Sequence, residues 1–238
     1  MMISLLAGCI FFVAGFVQGL TGFGSALVAI PLLSLILDIK AAVPLCILNG
    51  LIITMYLALH LRQHLDRTKI LPLVVGSIPG VVVGATLLQR VDSGIIRFCI
   101  GVLLISYSLY NLFVRPRSPG LSRAWGYAAG FLTGAIGAAF SAGGPPAIIY
   151  TTLAGWKKEE IRATLSGFFV ANGIVTAVVH VVTGVSTVAT VQIFLVTAPF
   201  VLLGTVAGSH VTGKINQQTY LRIIYTFLIL MGIMMILQ

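Results

Sequence analysis

Two long apolar segments without a charged residue restrict this chain more than any other feature of its sequence. Residues 1–37 and 124–156 contain no Asp, Glu, Lys or Arg. As a single helix, residues 1–37 would be about 55 Å long, whereas the hydrocarbon core of a bilayer is about 30 Å thick. Each segment is therefore too long for one ordinary membrane crossing, and we expect the chain to turn within it.

Glycine residues mark where these turns occur. A set of three glycines and a following proline recurs after a shift of 115 positions: Gly15, Gly19, Gly22 and Pro31, then Gly130, Gly134, Gly137 and Pro146. The glycine cluster ending at Gly24 divides the first segment into pieces near 2–20 and 24–37. The run 141–146, Ser-Ala-Gly-Gly-Pro-Pro, divides the second, because two prolines without amide donors impose a helix boundary. We interpret each segment as a helical hairpin, either re-entrant or made of two short crossings.

The overall composition belongs to a membrane protein. The chain is 58% hydrophobic and 8% charged, with a mean hydropathy of +1.10. A soluble domain of this size would lack a charged surface. Outer-membrane barrels alternate apolar and polar residues, whereas these segments are continuously apolar. The sequence predicts an all-α polytopic membrane protein.

The remaining apolar spans indicate an internal duplication. We place them near 41–60, 70–88, 95–114, 163–183, 188–208 and 218–237. Matching features follow in the same order in both halves: Asn49-Gly50 with Asn172-Gly173, Pro79 and Gly84 with Pro199 and Gly204, and Arg97 with Arg222. The prediction is a first transmembrane repeat at 1–114, a cytoplasmic linker at 115–123 and a second repeat at 124–238. Each repeat comprises one glycine-broken hairpin and three transmembrane helices.

The basic residues favour hairpins that return to their starting side. In that arrangement eleven of the fourteen lie on one face, and only Lys40, Arg90 and Arg97 lie on the other. If each broken segment crossed once, the basic residues would divide almost evenly, against the positive-inside rule. The second repeat then begins on the opposite side from the first, so the repeats are inverted. Both termini are expected in the periplasm.

Other functional classes find little support in the sequence. The net charge of +9 is explained by basic connections between spans, and no basic patch with interleaved aromatics indicates nucleic-acid binding. Cys9, Cys46 and Cys99 are isolated in apolar segments and are interpreted as small buried hydrophobic residues. The N-terminus lacks a basic region and a cleavage signal, so we expect a retained membrane segment. We expect no cofactor and no metal.

The hairpin breaks are the candidate binding site. Broken backbone at membrane depth is tolerated where protein buries it or water reaches it, and helix N-termini attract anions. Two asparagines at corresponding places in the repeats need buried partners, which are either an unwound hairpin or the ligand. The candidate substrate-binding residues are Gln18, Thr21, Gly22, Gly24, Ser25, Asn49, Thr133, Gly137, Ser141, Gly143, Gly144 and Asn172.

Structural explanations compete with this interpretation. Gly-x-x-x-Gly spacing also serves close helix packing without any ligand. We interpret His180 as a packed core histidine. All five acidic residues lie in connections, which disfavours carboxylate proton relays and suits a negatively charged cargo. No phosphate-binding loop is present, and Ser141 lacks a nucleophile context, so no enzyme activity is expected.

The glycine motifs resemble those of a known family. Gly15-x-x-x-Gly19-x-x-Gly22-x-Gly24, Gly130-x-x-x-Gly134-x-x-Gly137 and the run 143–146, Gly-Gly-Pro-Pro, are similar to the TauE/SafE family of sulfite exporters. The resemblance extends over essentially the whole chain. It implies transport of sulfite, organosulfonates or related sulfur compounds across a bacterial inner membrane. Ala29-Ile30-Pro31 replaces the double glycine in the first hairpin, so the hairpins are expected to contribute unequally.

The expected function is secondary transport. The leading hypothesis is an exporter of small sulfur-containing anions that works by alternating access, with the lipid bilayer as its environment. Proton coupling stays open, because sulfite carries a proton near neutral pH. A passive small-anion channel is the alternative, and a membrane scaffold for a partner is the third.

Overall fold

The computed structural model describes residues 2–113, 120–156, 158–211 and 217–237. Within these ranges it contains α-helices and one short 3-10 turn, and no strand. The helices are α1 (Met2–Thr21), α2 (Ser25–Leu33), α3 (Ile39–His60), α4 (Arg67–Arg90), α5 (Ser93–Phe113), α6 (Ala124–Phe140), α7 (Gly144–Leu153), α8 (Lys158–Val182), α9 (Val188–Val211) and α10 (Gln217–Leu237). In the described ranges, six helices are long and apolar enough to cross a membrane. The prediction of an all-α polytopic membrane protein is confirmed. Of the proposed linker 115–123, residues 115–119 lie outside the described residues.

Acidic side chains begin two of the membrane helices. Asp38 accepts a hydrogen bond from Lys40 N (2.8 Å) at the start of α3. Asp66 accepts from both Thr68 N (2.9 Å) and Thr68 Oγ1 (2.6 Å) at the start of α4. These bonds satisfy amides that lack an intrahelical partner. The Thr68 hydroxyl and amide hold the pKa of Asp66 below its usual value.

Glycines allow helices of the two halves to approach closely in pairs. Helix α4 packs on α6, and α1 packs on α9. A Cβ added to Gly76 or Gly80 in α4 would overlap the carbonyl oxygen of Tyr127 or Phe131 in α6, respectively. Successive contacts have higher residue numbers in both helices, so α4 and α6 run parallel. Close packing at glycine is thus a real function of the pattern, as the structural alternative anticipated.

The pair formed by α1 and α9 has the same geometry. Gly204 and Gly208 of α9 lie against the carbonyl oxygens of Phe12 and Phe16 in α1, again in rising order. These two helices also run parallel. Helices α5 and α10 form a third pair, in which Gly101 and Gly232 contact each other's backbone.

The second broken segment folds back on itself. Gly120 N, just before α6, donates to Leu153 O at the end of α7 (3.1 Å). Gly143 packs against Thr133 O and the backbone of Gly137, which lie about two turns and one turn before the break, respectively. Helix α7 therefore returns to the end of the bundle at which α6 begins.

The first broken segment turns back in a similar way. Ser25 N, the first residue of α2, donates to Gln18 Oε1 (3.2 Å) near the end of α1. Helix α2 has 9 residues and α7 has 10, which gives lengths of about 14–15 Å, half of the hydrocarbon core. Helix α2 ends at Leu33, earlier than the expected piece 24–37.

The spacing of the two hairpin breaks differs from that of the glycine pattern by about one helical turn. Helices α1 and α6 end at residues with positive φ, Gly22 (91°) and Ser141 (55°), whose amides bond to Gln18 O and Gly137 O, respectively. These equivalent positions are 119 residues apart, not the 115 of the glycine pattern. In the pattern, Gly15 and Gly19 correspond to Gly130 and Gly134, and all four pack against the backbone of another helix. The hydrogen bonds instead pair the two breaks.

The cysteines occupy three different environments. Cys46 is buried, Cys99 is intermediate and Cys9 is exposed on the outer face of α1. All three are free thiols, as expected. The expectation of burial was wrong for Cys9, since any helix face turned to lipid is apolar and sequence alone does not separate it from the protein interior.

Candidate functional site

A central cavity of about 100 Å³ lies where the two hairpin breaks meet. Helices α3 and α8 supply its other walls, through residues at and near their Asn-Gly pairs. The first turns of α2 and α7 both line it, since Ser25 and Gly144 begin these helices. Two helix N-termini therefore meet at one small cavity.

The fold brings nine of the twelve candidate residues to this cavity. They are Gln18, Gly24, Ser25, Thr133, Gly137, Ser141, Gly143, Gly144 and Asn172. These residues come from α1, α2, α6, α7, α8 and the connections at the breaks. Their shared location results from the turns at residues 22–24 and 141–143, which bring distant parts of the chain together. Their contact with a substrate stays a prediction.

The other three candidates lie outside the lining. Thr21 Oγ1 is within hydrogen-bonding distance of the local carbonyls Val17 O (2.8 Å) and Phe23 O (2.6 Å). Gly22 faces Arg162, whose Nε would lie 3.0 Å from an added Cβ. Asn49 Nδ2 donates to Leu45 O (3.0 Å) and to Thr197 Oγ1 (3.0 Å), so its amide serves helix packing.

Several residues that line the central cavity were not predicted from the sequence. They are Phe23, Ala26, Leu27, Cys46, Ile47, Gly50, Leu51, Thr54, Ala142, Phe169 and Gly173. Gly50 and Gly173 each follow a repeated asparagine, and that signal could have identified them. The two phenylalanines and the aliphatic residues carry no signal in an apolar sequence, because they look like any lipid-facing or core side chain.

Two buried polar atoms beside the cavity lack a partner. Thr133 is 0% exposed and Asn172 is 6% exposed. Neither Thr133 Oγ1 nor Asn172 Oδ1 has a hydrogen-bond partner among the described residues. Buried polar groups in proteins are nearly always paired, and an exception calls for an explanation such as a ligand or water. Both residues line the central cavity.

Two further side chains at the breaks are arranged around the cavity. Gln18 Oε1 accepts the bond from Ser25 N, which leaves its amide nitrogen as a donor. Ser141, with φ of 55°, is the one non-glycine residue at positive φ in the described ranges. Strain of this kind concentrates at functional sites.

The site is polar without being charged. Among the residues that line the central cavity there is no Asp, Glu, Lys or Arg. Arg162 lies close to the first break, where its Nη2 donates to Gly19 O (3.3 Å). Hydroxyls, amides and helix N-termini can bind an anion as neutral donors. Among the described residues, no group of three His, Cys, Asp or Glu side chains could hold a metal.

Comparison with known families agrees with this geometry. The family described as "Sulfite exporter TauE/SafE" matches residues 7–235, nearly the whole chain. The chain belongs to the TauE/SafE family. The resemblance noted from the glycine motifs is thereby confirmed. Searches among curated proteins and among solved structures gave no significant match.

Membership in the TauE/SafE family sets the general function. The family implies a membrane exporter of sulfite or a related sulfur compound, with a small anion as substrate. Proteins of the TauE/SafE family are transporters rather than enzymes. Together with its apolar helices, this makes the chain a multi-pass membrane protein.

Proposed function

We propose that this protein is a secondary carrier that binds a sulfur oxyanion or an organosulfonate in the central cavity and exports it by alternating access. The observation that carries the proposal is the unpartnered buried hydroxyl of Thr133, in a cavity between two broken helices that Asn172 also lines. Thr133 Oγ1 can donate a hydrogen bond to an oxyanion, and the amide nitrogen of Asn172 can do the same.

We further propose that the two halves are inverted repeats. The start of α8 lies beside the start of α4, because Lys69 Nζ is 3.0 Å from Glu160 Oε2. The ends of the same helices also meet, since Gln89 Nε2 donates to Thr183 O. Helices α4 and α8 therefore run in the same direction. Helix α9 runs back after the short connection 183–187.

The parallel glycine pairs extend this argument to the hairpins. Helix α1 is parallel to α9, and α6 is parallel to α4. Because α4 and α9 run in opposite directions, α1 and α6 do so as well. Opposite hairpins that meet at one cavity are the arrangement found in carriers with inverted repeats.

The same geometry supports a bacterial inner-membrane orientation with periplasmic termini. Arg123 Nη2 donates to Thr68 O (2.8 Å) at the end of the bundle that also holds Lys69. Lys40 Nζ donates to Gln89 O (3.3 Å) at the other end. The positive-inside rule assigns the first, more basic end to the cytoplasm. An inside-negative potential then favours export of each negative charge by about 2.3 kcal/mol per 100 mV.

Counterflow in proteoliposomes tests the carrier mechanism. We expect unlabelled sulfite or sulfoacetate inside the vesicles to accelerate uptake of the labelled compound. A passive channel would conduct without this trans-stimulation. A scaffold would show neither. Repeating the assay at several pH values with a proton ionophore would show whether a proton moves with the anion.

Alkylation of Cys46 tests the location of the binding site. Cys46 lines the central cavity and is 3% exposed. In a C9S/C99S variant, we expect saturating substrate to slow its reaction with N-ethylmaleimide. A C46S/C99S variant, which keeps only the exposed Cys9, is the matched control. Its reaction rate should be the same with and without substrate. Equal reactivity of Cys46 with and without a transported substrate would remove the central cavity from the proposal.

A further inference from the structure

A second cavity lies at the foot of the second hairpin, and we call it the foot cavity. Its volume is about 180 Å³, and it is lined by Thr68, Lys69, Leu121, Arg123, Tyr150 and Trp156. It shares no lining residue with the central cavity. It is placed between the starts of α4 and α6 and the end of α7.

Two cationic side chains line the foot cavity. Arg123 uses Nη2 to bond Thr68 O (2.8 Å), and a guanidinium has further N–H donors. Lys69 Nζ lies 3.0 Å from Glu160 Oε2 and 5.0 Å from the centroid of the Trp156 ring. An ammonium has three donors, so one carboxylate oxygen does not exhaust them. Both residues can therefore donate to a further anion.

The hydroxyl of a tyrosine adds a third donor. Tyr150 is 5% exposed and lines the foot cavity, and its phenolic hydroxyl can donate a hydrogen bond. Its ring meets Trp156 edge to face, with 5.7 Å between the centroids.

The helix ends add positive potential to this cavity. Thr68 and Lys69 belong to the first turn of α4, and Arg123 directly precedes α6. Since these helices run parallel, both N-termini lie at the same end of the bundle. A helix N-terminus carries about half a positive charge and attracts anions.

Glu160 opposes binding at this cavity. Its carboxylate already occupies one side of the Lys69 ammonium. The carboxylate of Asp66 is further away, at 4.0 Å, and caps α4 through Thr68. An incoming anion has to compete with Glu160 for Lys69, which predicts weak and readily reversible binding.

We propose that the foot cavity is a second anion site, which binds one tetrahedral or pyramidal oxyanion through Lys69, Arg123 and Tyr150. A free sulfur or phosphorus oxyanion and the phosphate of a lipid headgroup offer the same chemistry. The site is separate from the central cavity, so its existence does not depend on the proposed transport cycle.

Tryptophan fluorescence gives a direct test, because the chain has two tryptophans. Trp125 is 60% exposed, and W125F leaves Trp156 as the only reporter. In a phosphate-free detergent at constant ionic strength, we expect sulfate to change the emission of Trp156 in a saturable manner. K69Q and R123Q should each weaken the apparent affinity at least tenfold, and Y150F severalfold. R67Q, which removes a nearby charge that does not line the cavity, is the control and should bind like the parent.

A change at Glu160 separates a binding site from a simple ion pair. We expect E160Q to raise the sulfate affinity severalfold, because the competing carboxylate is gone. If the Lys69–Glu160 pair served folding alone, E160Q would lower the melting temperature without improving sulfate binding. That result, or a non-saturable response in the W125F protein, would overturn the proposal.

The source of the oxyanion follows from the lipid environment. In nanodiscs of phosphatidylglycerol, a bound headgroup would shift the sulfate titration to higher concentration than in detergent. An unshifted titration would assign the site to free anions. Each result supports an oxyanion site. If W125F and W125F/K69Q/R123Q responded identically to sulfate in both environments, no such site would exist.

Discussion

Asn49 and Asn172 hold corresponding places in α3 and α8, but their amides meet different surroundings. Asn49 is fully buried and exchanges hydrogen bonds with Thr197 (3.0 and 3.2 Å). Asn172 lines the central cavity, and its Oδ1 has no partner among the described residues. One member of the pair thus stabilises the helix bundle, and the other is available to a ligand.

This difference predicts opposite effects of one substitution. Asn49→Ala removes the hydrogen bonds of a fully buried amide to Thr197 Oγ1 and Leu45 O, so we expect a loss of about 1–3 kcal/mol in stability. Asn172→Ala breaks no such bond and should leave the melting temperature nearly unchanged. It should raise KM for the substrate about tenfold, the equivalent of one lost hydrogen bond. Thermal unfolding and counterflow of both variants measure the two effects. A stability loss confined to Asn172→Ala would reverse the assignment.

Ser141 combines a hydroxyl at the cavity with a strained backbone. We expect Ser141→Gly to stabilise the protein by about 1 kcal/mol, since glycine adopts positive φ without steric conflict. Ser141→Ala keeps the strain and removes the same hydroxyl. Both variants should bind substrate more weakly, and only the glycine variant should melt at a higher temperature. Unchanged substrate affinity in both would show that the hydroxyl does not contact the ligand.

At the scale of elements, the hairpins depend on contacts that only glycine permits. Gly143 lies against the backbone of Thr133 and Gly137, so an added Cβ would overlap both. At Gly144 the same Cβ would meet only Ile148 Cδ1, at 3.6 Å, an ordinary contact. The two adjacent glycines therefore have different roles, and the first one holds α7 against α6.

Substitution of these neighbours separates packing from binding. We expect Gly143→Ala to lower the melting temperature and abolish transport, because α7 must move away from α6. Gly144→Ala should keep the melting temperature and retain measurable transport. Thermal unfolding in detergent and counterflow provide both measurements. Equal stability of the two variants would contradict the packing described for Gly143.

The whole molecule is organised by pairs of helices drawn from different halves of the chain. Helix α1 packs on α9, α4 on α6 and α5 on α10. The first helix of each hairpin therefore packs mainly on the opposite half, whereas α2 and α7 contact α3 and α8 of their own half. The packing of helices from opposite halves places both breaks at one cavity. Two repeats that simply lay side by side would not bring the breaks together.

Cysteine accessibility tests the proposed orientation of the bundle. In a C9S/C46S/C99S background, we expect Lys40→Cys to react with a membrane-impermeant maleimide added outside spheroplasts. Arg123→Cys should react only after permeabilisation, because it lies at the basic, cytoplasmic end. Labelling of both positions from the same side would contradict inverted hairpins.

The sequence was enough to predict the class of protein, the two broken segments and nine of the residues around the cavity. These conclusions follow from local chemistry, since long uncharged runs require lipid and clustered Gly and Pro interrupt helices. Tertiary structure alone decided that Asn49 binds Thr197, that Gly22 packs on Arg162 and that the breaks are 119 residues apart. It also decided which apolar side chains, such as Phe23 and Phe169, line the cavity. In a membrane protein, lipid-facing and interior positions are equally apolar, so only the packing of helices against one another distinguishes them.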